Sequence, residues 1–358
     1  MRMSNSATSP AARHIIRPPG LHRMTGRPER WVDSEGESVV DSAVVERLHR
    51  LSIPPAWTHV WASLDAESPV QATGVDFRGR TQYRYSAAAV AAAERNKFDH
   101  LLQFAAALPG LRARVGVDLA ASNADPASIL QPTRVTAVLV RLLDRGLFRV
   151  GNERYARDNH TYGLTTLRRD QISVAGDTAT FDFVGKEHVE HHLVVTDPDA
   201  VGVVAELLEQ ESDPAVPVFA TPDPPLWRRV DSVTVNSYIH SHGAVVASAK
   251  TFRTWGATVV AASVAAGASF RDATRVRRSA DLIAYDAAAH MLGDTPAVAR
   301  RSYVHPQALS AGRSDRVIAA VRQASKTSDS DDVRDIFHDH GIQAVVLDFL
   351  VSNAEVSE

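Results

Sequence analysis

The chain has 358 residues, of which 44% are hydrophobic, so it is long enough to form two domains with separate cores. Its 39 basic and 42 acidic residues nearly cancel, which excludes a surface coated throughout with phosphate-binding charge and leaves local basic patches for any contact with nucleic acid. The absence of cysteine excludes disulfides, thiolate chemistry and cysteine-ligated zinc, and it fits a reducing cytoplasm.

The N-terminal part predicts a small β-rich domain. Residues 1–14 have no apolar signal core and are expected to be a disordered start. Residues 15–87 contain short apolar pieces broken by Pro, Gly and Asp, which predicts short strands with one helix near residues 44–51. Residues 82–85 (QYRY) favour a strand with alternating faces.

Residues 88–324 predict a mainly α-helical domain. Apolar residues recur at helical spacing from Phe98 to Leu108, and this helix is expected to stop before Pro109. A second helix is predicted to end at Gly146. Later helices are expected at residues 199–210, 232–242, 251–266 and 280–292. The apolar run at residues 256–270 is too short to cross a bilayer, which takes about 20 residues, so we expect no membrane partner.

Residues 171–195 interrupt the helices with three predicted strands joined by two turns, a three-stranded antiparallel sheet with Lys186 at the second turn. Residues 325–358 are expected to be an acidic linker followed by a helix near residues 342–350. The predicted fold class is therefore α+β, with a small N-terminal sheet domain and a mainly helical second domain.

The chemistry of metal-free phosphodiester cleavage suggests which side chains to look for. It needs a nucleophile, an acid for the leaving oxygen, and fixed positive charge around the phosphorane-like transition state. Arginine suits the last role because its guanidinium stays charged and can bind two phosphate oxygens. Only four of the 39 basic residues are lysines, so a lysine in a matched block suggests a specific role for that residue.

Four separate blocks supply these residue types in the order Arg, Lys, Arg, Tyr. They are residues 147–153 (LFRVGNE) with 162–167 (YGLTTL), 183–186 (FVGK), 249–255 (AKTFRTW) and 292–306 (LGDTPAVARRSYVHP). Together they resemble the blocks of type IB DNA topoisomerases of the small bacterial and poxvirus kind, whose fold combines a β-rich clamp domain with a helical catalytic domain.

The resemblance implies a role for each matched residue. Tyr303 matches the nucleophile that attacks phosphorus, and Arg149 and Arg253 match the two catalytic arginines. Lys186 matches the lysine on a hairpin turn that hands a proton to the departing 5′ oxygen. Lys250 lies one helical turn before Arg253 in the same block and is grouped with the catalytic residues.

The resemblance extends into the first domain, so that it covers roughly residues 45–310. Residues 53–57 (IPPAW), 71–74 (QATG) and 79–85 (GRTQYRY) are similar to the family's N-terminal DNA clamp. This match implies that Gln82, Tyr83 and Tyr85 face the major groove of DNA and that Arg80 contacts a phosphate.

Asp294 departs from the family pattern. The family usually has His or Asn nine residues before the tyrosine, where it donates a hydrogen bond to a non-bridging phosphate oxygen. An ionised carboxylate only accepts hydrogen bonds and repels phosphate. We expect the groups that bind the phosphate oxygens to function but to be weakened. Three outcomes are open: a slower enzyme, another donor such as His290 if its helix persists, or DNA binding without catalysis.

The function implied by the resemblance is relaxation of supercoiled duplex DNA through a 3′-phosphotyrosyl intermediate, without ATP, metal or nucleotide cofactor. Double-stranded DNA is the expected partner, and a cytoplasmic, nucleoid-associated monomer is expected. The alternatives are a tyrosine recombinase and a DNA-binding protein weakened in catalysis by Asp294. A metal site at His188, His191 and His192 is not expected, because His191 and His192 would point to opposite faces of a strand.

Overall fold

The computed structural model describes residues 18–24, 26, 29–120, 131–211, 213–214, 216–223, 226–270, 279–327 and 333–355. The chain forms two compact units, Met1–Lys97 and Phe98–Glu358. The division between them falls inside one long helix, ten residues after the domain boundary predicted from composition. The predicted disordered start, residues 1–14, lies outside the described residues.

The N-terminal unit is a five-stranded antiparallel sheet with one helix. Helix α1, Ser42–Arg50, begins after Asp41, whose carboxylate accepts the backbone N–H groups of Ala43 and Val44. In the sheet order β2-β1-β3-β4-β5, strand β5 is an edge. The strands are β1 Gly20–Met24, β2 Arg30–Val32, β3 Thr58–Ser63, β4 Val70–Val75 and β5 Thr81–Tyr85. The predicted helix and the predicted strand at residues 82–85 are confirmed.

A compact core holds this unit together. Leu48 of α1 and Leu21, Trp31 and Val60 of the strands are almost fully buried and form one cluster. Gly74 allows the close approach of Trp57, since a Cβ atom at position 74 would lie 2.8 Å from the Trp57 ring. The similarity blocks at residues 53–57 and 71–74 therefore contribute to packing within the unit.

The C-terminal unit is mainly helical, which together with the N-terminal sheet confirms the α+β class. Among the described residues, the longest run of buried residues belongs to helix α7 (Ala249–Ala265), which packs against α8 (Ala280–Leu292) and α3 (Pro132–Gly146). The helices after α1 are α2 Ala87–Ala120, α3 Pro132–Gly146, α4 Glu153–Asn159, α5 Pro198–Glu209, α6 Ser232–Ser241, α7 Ala249–Ala265, α8 Ala280–Leu292, α9 Pro296–Ser302, α10 Asp315–Thr327, α11 Val333–His338 and α12 His340–Glu355.

Two small antiparallel sheets complete this unit. The predicted meander is confirmed as β6 Ile172–Ala175, β7 Thr178–Val184 and β8 Glu190–Thr196, paired in the order β6-β7-β8. A hairpin of β9 Ala220–Asp223 and β10 Leu226–Arg229 was not predicted, because β9 contains Pro222 and Asp223 and each strand has only four residues.

The prediction that the first long helix stops before Pro109 is wrong, because α2 continues through this proline to Ala120. A proline in a helix interior removes one hydrogen bond and costs about 3 kcal/mol. The buried face of α2 continues on both sides of it, with Leu101, Phe104, Leu108 and Leu111 all at most 1% exposed. Burial of these side chains offsets the cost of the proline.

The predicted acidic linker is wrong at its start, since residues 325–327 complete helix α10, whereas residues 328–332 lie outside the described residues. The predicted last helix exists and is longer, as α12. Gln343 of α12 accepts hydrogen bonds from Arg112 (3.0 Å) and from the indole of Trp255 (3.1 Å), so this helix is part of the C-terminal core. No helix among the described residues is long and apolar enough to span a membrane.

Candidate active site

Arg253 is the buried centre of the candidate site. It lies in the first turns of α7 and is 4% exposed. Its guanidinium donates to the carbonyl of Leu147 (2.5 Å), the cap residue of α3, and to the carbonyl of Leu292 (3.0 Å), the last residue of α8. Helix C-termini carry partial negative charge, so these two ends hold the cation in a fixed orientation.

Arg149 reaches the same place from the segment that follows α3. Its carbonyl accepts the backbone N–H of Leu164 (2.8 Å), and the Val150 carbonyl accepts that of Thr165 (2.8 Å). Gly163 is required at this crossing, because a Cβ atom there would lie 2.5 Å from the backbone of Gly151. The two parts of the similarity block at residues 147–153 and 162–167 thus hold each other in place.

Asp294 lies between the two arginines. Arg149 Nη2 donates to one carboxylate oxygen and Arg253 Nη2 to the other, both at 2.7 Å. The Asp294 side chain is 12% exposed and that of Arg149 24%, so the pairs are partly shielded from water. Burial and the charge of Arg149 lower the pKa of Arg253, whereas Tyr303 and Asp294 oppose that effect. The cluster carries a net charge of about +1.

The predicted donor His290 is not brought to this cluster. Helix α8 ends at Leu292, and Gly293 follows in the left-handed conformation (φ 60°), so the helix does not persist to Asp294. His290 is exposed and its ring contacts Phe270. The condition under which His290 would replace the missing donor is therefore not met.

Tyr303 caps the C-terminal end of α9 and is partly exposed. The guanidinium carbon of Arg253 lies 5.2 Å from the centre of its ring, and Lys250 Nζ lies 5.4 Å from it. Two cations close to one ring make its surroundings positively charged, which attracts an anion to this place. Arg149, Arg253, Asp294, Tyr303 and Lys250, all predicted from the sequence, are thus linked by contacts.

Thr258 holds the backbone on which Tyr303 sits. This threonine of α7 is fully buried, and its hydroxyl accepts the backbone N–H of His305 at 3.1 Å. The same hydroxyl lies 2.8 Å from the Thr254 carbonyl and 3.3 Å from the Tyr303 carbonyl. The sequence pattern did not single out Thr258, since a threonine inside a buried helix has no distinguishing local signal.

Lys186 stands apart from these residues. It lies in the turn between β7 and β8, its side chain is 69% exposed, and its ammonium pairs with Glu187 at 3.5 Å. Glu187 and His188 both have positive φ angles (64° and 58°), an uncommon conformation for residues other than glycine. No described contact joins the Lys186 ammonium to the arginines or to Tyr303.

His191 of β8 was not predicted as a site residue, yet it lines one pocket with Arg149 and Arg253. It points to the opposite face from His192, which pairs with Asp182 (2.6 Å), as the strand alternation predicted. Burial lowers the pKa of His191, and the charges of Arg149 and Arg253 lower it further, while Asp294 opposes them. Among the described residues, no cluster of three or more His, Asp or Glu side chains could hold a metal ion.

The four predicted DNA-binding residues lie together on the β4–β5 hairpin of the N-terminal unit. Tyr83 and Tyr85 share the exposed face of β5, with nearly parallel rings 5.9 Å apart. Gln82 points to the other face and donates to Asp76 (2.9 Å), and Arg80 pairs with the same carboxylate (2.7 Å). The structure therefore brings the two tyrosines together and holds Arg80 and Gln82 on one aspartate.

Two family models match most of the chain. The model described as the catalytic core of eukaryotic DNA topoisomerase I matches residues 86–328, and the one described as the N-terminal domain of bacterial DNA topoisomerase IB matches residues 30–76. The chain belongs to the type IB DNA topoisomerase family. It is an isomerase by this membership, which favours the topoisomerase interpretation over the recombinase alternative.

Proteins similar to this chain are described as DNA topoisomerase 1 or 1B. The DNA topoisomerase 1B of Acanthamoeba polyphaga mimivirus is 29% identical over 265 residues, which cover 73% of this chain and 77% of the viral protein. DNA topoisomerase 1 of Mycosarcoma maydis is 24% identical, over 68% of this chain and 26% of the fungal protein. The DNA topoisomerase 1B of vaccinia virus (strain Copenhagen) is 26% identical, over 43% of this chain and 49% of its own length.

For this type IB family member, the structure adds two features that the block comparison missed. Asp294 forms hydrogen bonds with both arginines, and His191 lies beside the segment that contains Asp294. A signal for the second existed in the sequence, although it was not used: His191 lies opposite Phe183 on the two strands that flank the Lys186 turn. The contact between the His191 ring and Gly293 could not be predicted, because Gly293 belongs to a distant segment of the chain.

Proposed function

We propose that this topoisomerase relaxes supercoiled duplex DNA by transient cleavage of one strand with Tyr303 as the nucleophile. The observation that carries the proposal is the convergence of Arg149 and Arg253 on one small anion, the Asp294 carboxylate, with Tyr303 in contact with Arg253. Two guanidiniums that each bind one oxygen of a carboxylate can bind two oxygens of a phosphate in the same way.

The reaction is a reversible transesterification. Tyr303 Oη bonds to phosphorus as it loses its proton to water, and the bond between phosphorus and the 5′ oxygen breaks. The 3′ end is then held as a phosphotyrosyl ester while the free 5′ end rotates, and attack by the 5′-OH reverses the step. Arg149 and Arg253 stabilise the extra negative charge on the phosphorane-like transition state. Since the ester conserves the bond energy, no ATP enters.

The two lysines take different roles in this proposal. Lys186 supplies a proton to the 5′ oxygen, which requires its exposed turn to meet DNA, and its ammonium must leave Glu187 to do so. Lys250, whose Nζ lies 5.4 Å from the centre of the Tyr303 ring, supplies positive charge close to the nucleophile. Lys250 is therefore proposed to act on the nucleophile and Lys186 on the leaving group.

DNA recognition is proposed for the N-terminal hairpin. Tyr83 and Tyr85 offer an exposed aromatic surface suited to base edges and sugars, and Arg80 offers charge to a phosphate. Gln82 would reach a base edge only after leaving Asp76. A monomeric, nucleoid-associated state in the cytoplasm remains a prediction, as do the domain boundaries.

A second candidate function follows from Asp294. Its carboxylate occupies the oxygen-binding positions of both arginines, so an incoming phosphate must displace it, and an ionised carboxylate nearby repels that phosphate. This favours a slower enzyme, and in the limit a protein that binds DNA without cleaving it.

The deciding experiment is relaxation of negatively and positively supercoiled plasmid in EDTA without ATP, with the wild type and Tyr303→Phe side by side. We expect the wild type alone to relax both signs and to form a covalent adduct with DNA. Tyr303→Phe keeps the ring beside Lys250 and Arg253, so it is a matched control that lacks only the hydroxyl. Binding of DNA by both proteins without relaxation by either would favour the second candidate.

A further inference from the structure

With an aspartate at position 294, the proposed reaction lacks one hydrogen-bond donor to the phosphate. In the family pattern, the residue nine positions before the tyrosine donates to a non-bridging phosphate oxygen, and an ionised aspartate cannot. The two arginines alone would have to stabilise the transition state. One donor of this type is worth about 10² to 10³ in rate where it has been removed from other enzymes.

His191 lies where a replacement donor is needed. It lines the pocket that Arg149 and Arg253 also line. Its ring packs directly against Gly293, the residue before Asp294, since a Cβ atom at position 293 would lie 2.4 Å from the ring. On its other side a Cβ atom at position 185 would lie 2.5 Å away, so the ring fills the space between the Lys186 turn and the Asp294 segment.

The ring is fixed in position but its nitrogens are not engaged. Phe183 stacks on it with centroids 5.0 Å apart and an interplanar angle of 21°, which sets its plane. Within the described ranges, no side chain or backbone group forms a hydrogen bond with either ring nitrogen. A half-buried imidazole beside two arginines, with a free N–H, has the geometry of a donor awaiting an anion.

We propose that His191 is a further catalytic residue, which donates a hydrogen bond to a non-bridging oxygen of the scissile phosphate in place of the residue that Asp294 has replaced. The proposal rests on the proposed function of Tyr303. The neutral imidazole keeps one N–H, so it donates to phosphate without adding a third positive charge beside Arg149 and Arg253; the lowered pKa of His191 agrees with this state at neutral pH.

The proposal assigns each neighbour a distinct part. Gly185 and Gly293 must stay free of side chains to admit the ring, and Phe183 sets its orientation. Asp294 holds the two arginines until the phosphate displaces it, and His191 then supplies the donor. This division explains how an aspartate is accommodated in a site built for phosphate.

The test measures single-turnover formation of the Tyr303–DNA adduct, at a cleavage site first mapped on plasmid DNA. Five proteins are compared: wild type, the single variants His191→Gln, His191→Phe and Asp294→Asn, and the double variant His191→Phe, Asp294→Asn. Phe keeps a ring that can stack on Phe183 but has no N–H, whereas Gln keeps an N–H. Thermal unfolding and DNA affinity serve as controls for folding and binding.

We expect His191→Phe to slow adduct formation about 10² to 10³-fold with DNA affinity unchanged, and His191→Gln to stay within about tenfold of the wild type. In the Asp294→Asn background, where asparagine supplies a donor, the cost of His191→Phe should fall below about tenfold. An equal loss in both backgrounds, or equal losses for Gln and Phe, would mean that His191 only packs the site and would overturn the proposal.

A modified substrate allows a comparison of adduct-formation rates that a purely structural role of His191 would not affect. A stereodefined methylphosphonate at the mapped site replaces one non-bridging oxygen by a methyl group, which accepts no hydrogen bond. With one of the two isomers, wild type and His191→Phe should react at the same rate; a difference that persists with both isomers would contradict the donor role. If no variant forms an adduct, the proposed function fails, whereas an adduct with Asp294→Asn but not the wild type overturns the His191 proposal alone.

Discussion

In the N-terminal unit Asp76 accepts hydrogen bonds from Arg80 and Gln82, and in the C-terminal unit Asp294 accepts them from Arg149 and Arg253. The surroundings of the two aspartates differ. Asp76 also accepts the backbone N–H groups of Arg78 and Arg80, both at 2.9 Å, so it closes the β4–β5 turn. The described hydrogen bonds to the Asp294 carboxylate come from the two guanidiniums alone.

The difference shows that an aspartate beside arginines can have two unrelated effects. Hydrogen bonds from Arg80 and from the turn backbone lower the pKa of Asp76 to about 2, which keeps it ionised and the hairpin closed. Asp294 shapes no turn with its side chain and instead occupies the positions that a phosphate would take. Under the proposed function, the first aspartate therefore supports the DNA-contact surface, whereas the second competes with the substrate.

The largest effect is expected from Arg253→Lys. Lysine cannot donate at once to the Leu147 carbonyl, the Leu292 carbonyl and Asp294, and it cannot bind two phosphate oxygens side by side. We expect the relaxation rate to fall about 10³-fold. Arg80→Lys is the matched control on the other aspartate, and it should change the rate less than about tenfold. Similar losses for the two variants would remove the distinction between the buried and the exposed arginine.

Acid should destabilise the C-terminal unit through His338. Burial lowers its pKa from 6.5 to about 4, and Arg145 and Arg112 act in the same direction while Asp144 and Asp335 oppose them. Since the unfolded chain takes up a proton below pH of about 6.5 and the folded one does not, the free energy of unfolding falls as the pH drops from about 6.5 to about 4. The loss is about 3 kcal/mol.

Denaturant titrations across this pH range would measure the effect. His338→Gln should flatten the pH dependence because it removes the titrating group, and His290→Gln on the exposed face of α8 should leave it in place. A slope unchanged by His338→Gln would assign the acid sensitivity to another group.

Two buried threonines offer a paired comparison between the units. The Thr258 hydroxyl serves the backbone of Tyr303 and His305, whereas the hydroxyl of Thr73 in β4 has no hydrogen-bond partner among the described residues. We expect Thr258→Val to slow adduct formation by tens of fold, since an error of about 1 Å in placing a nucleophile can cost 10²-fold. It should also lower the free energy of unfolding by about 1–3 kcal/mol.

Thr73→Val is the matched control and should leave adduct formation unchanged and stability equal or higher, because it removes a buried hydroxyl that is not paired. Equal loss from both valine variants in adduct formation would show that Thr258 does not position Tyr303.

The smallest change in rate is expected from Asp294→Asn. Asparagine removes the negative charge from the phosphate position and adds a donor, so adduct formation should become about tenfold faster at neutral pH, with both arginines still able to donate to its carbonyl. Asp76→Asn is the control, and it should weaken the hairpin turn without any acceleration. A slower Asp294→Asn enzyme would show that the charge of Asp294 orients the arginines more than it repels phosphate.

Most secondary structure could be predicted because its causes are local. The helix that ends at Gly146, the helix Ala280–Leu292 and the meander from Ile172 to Thr196 follow from apolar spacing and turn residues. Pro109 misled the prediction because a local rule disfavours it, while the apolar face of α2 continues past it into the core. The β9–β10 hairpin was missed because its short strands carry no clear alternation.

The sequence by itself determined the candidate residues: Arg149, Lys186, Arg253 and Tyr303 were named from the resemblance of four blocks, with Lys250 in the block of Arg253, and Asp294 was named as a departure from the family pattern. Only the tertiary structure decided how they meet. Asp294 reaches Arg149 across 145 positions of the chain, and His191 reaches the pocket because Gly185 of its own hairpin and Gly293 of a distant segment leave room for its ring. Local patterns predict elements and residue types, but contacts between distant segments depend on how the helices and strands pack.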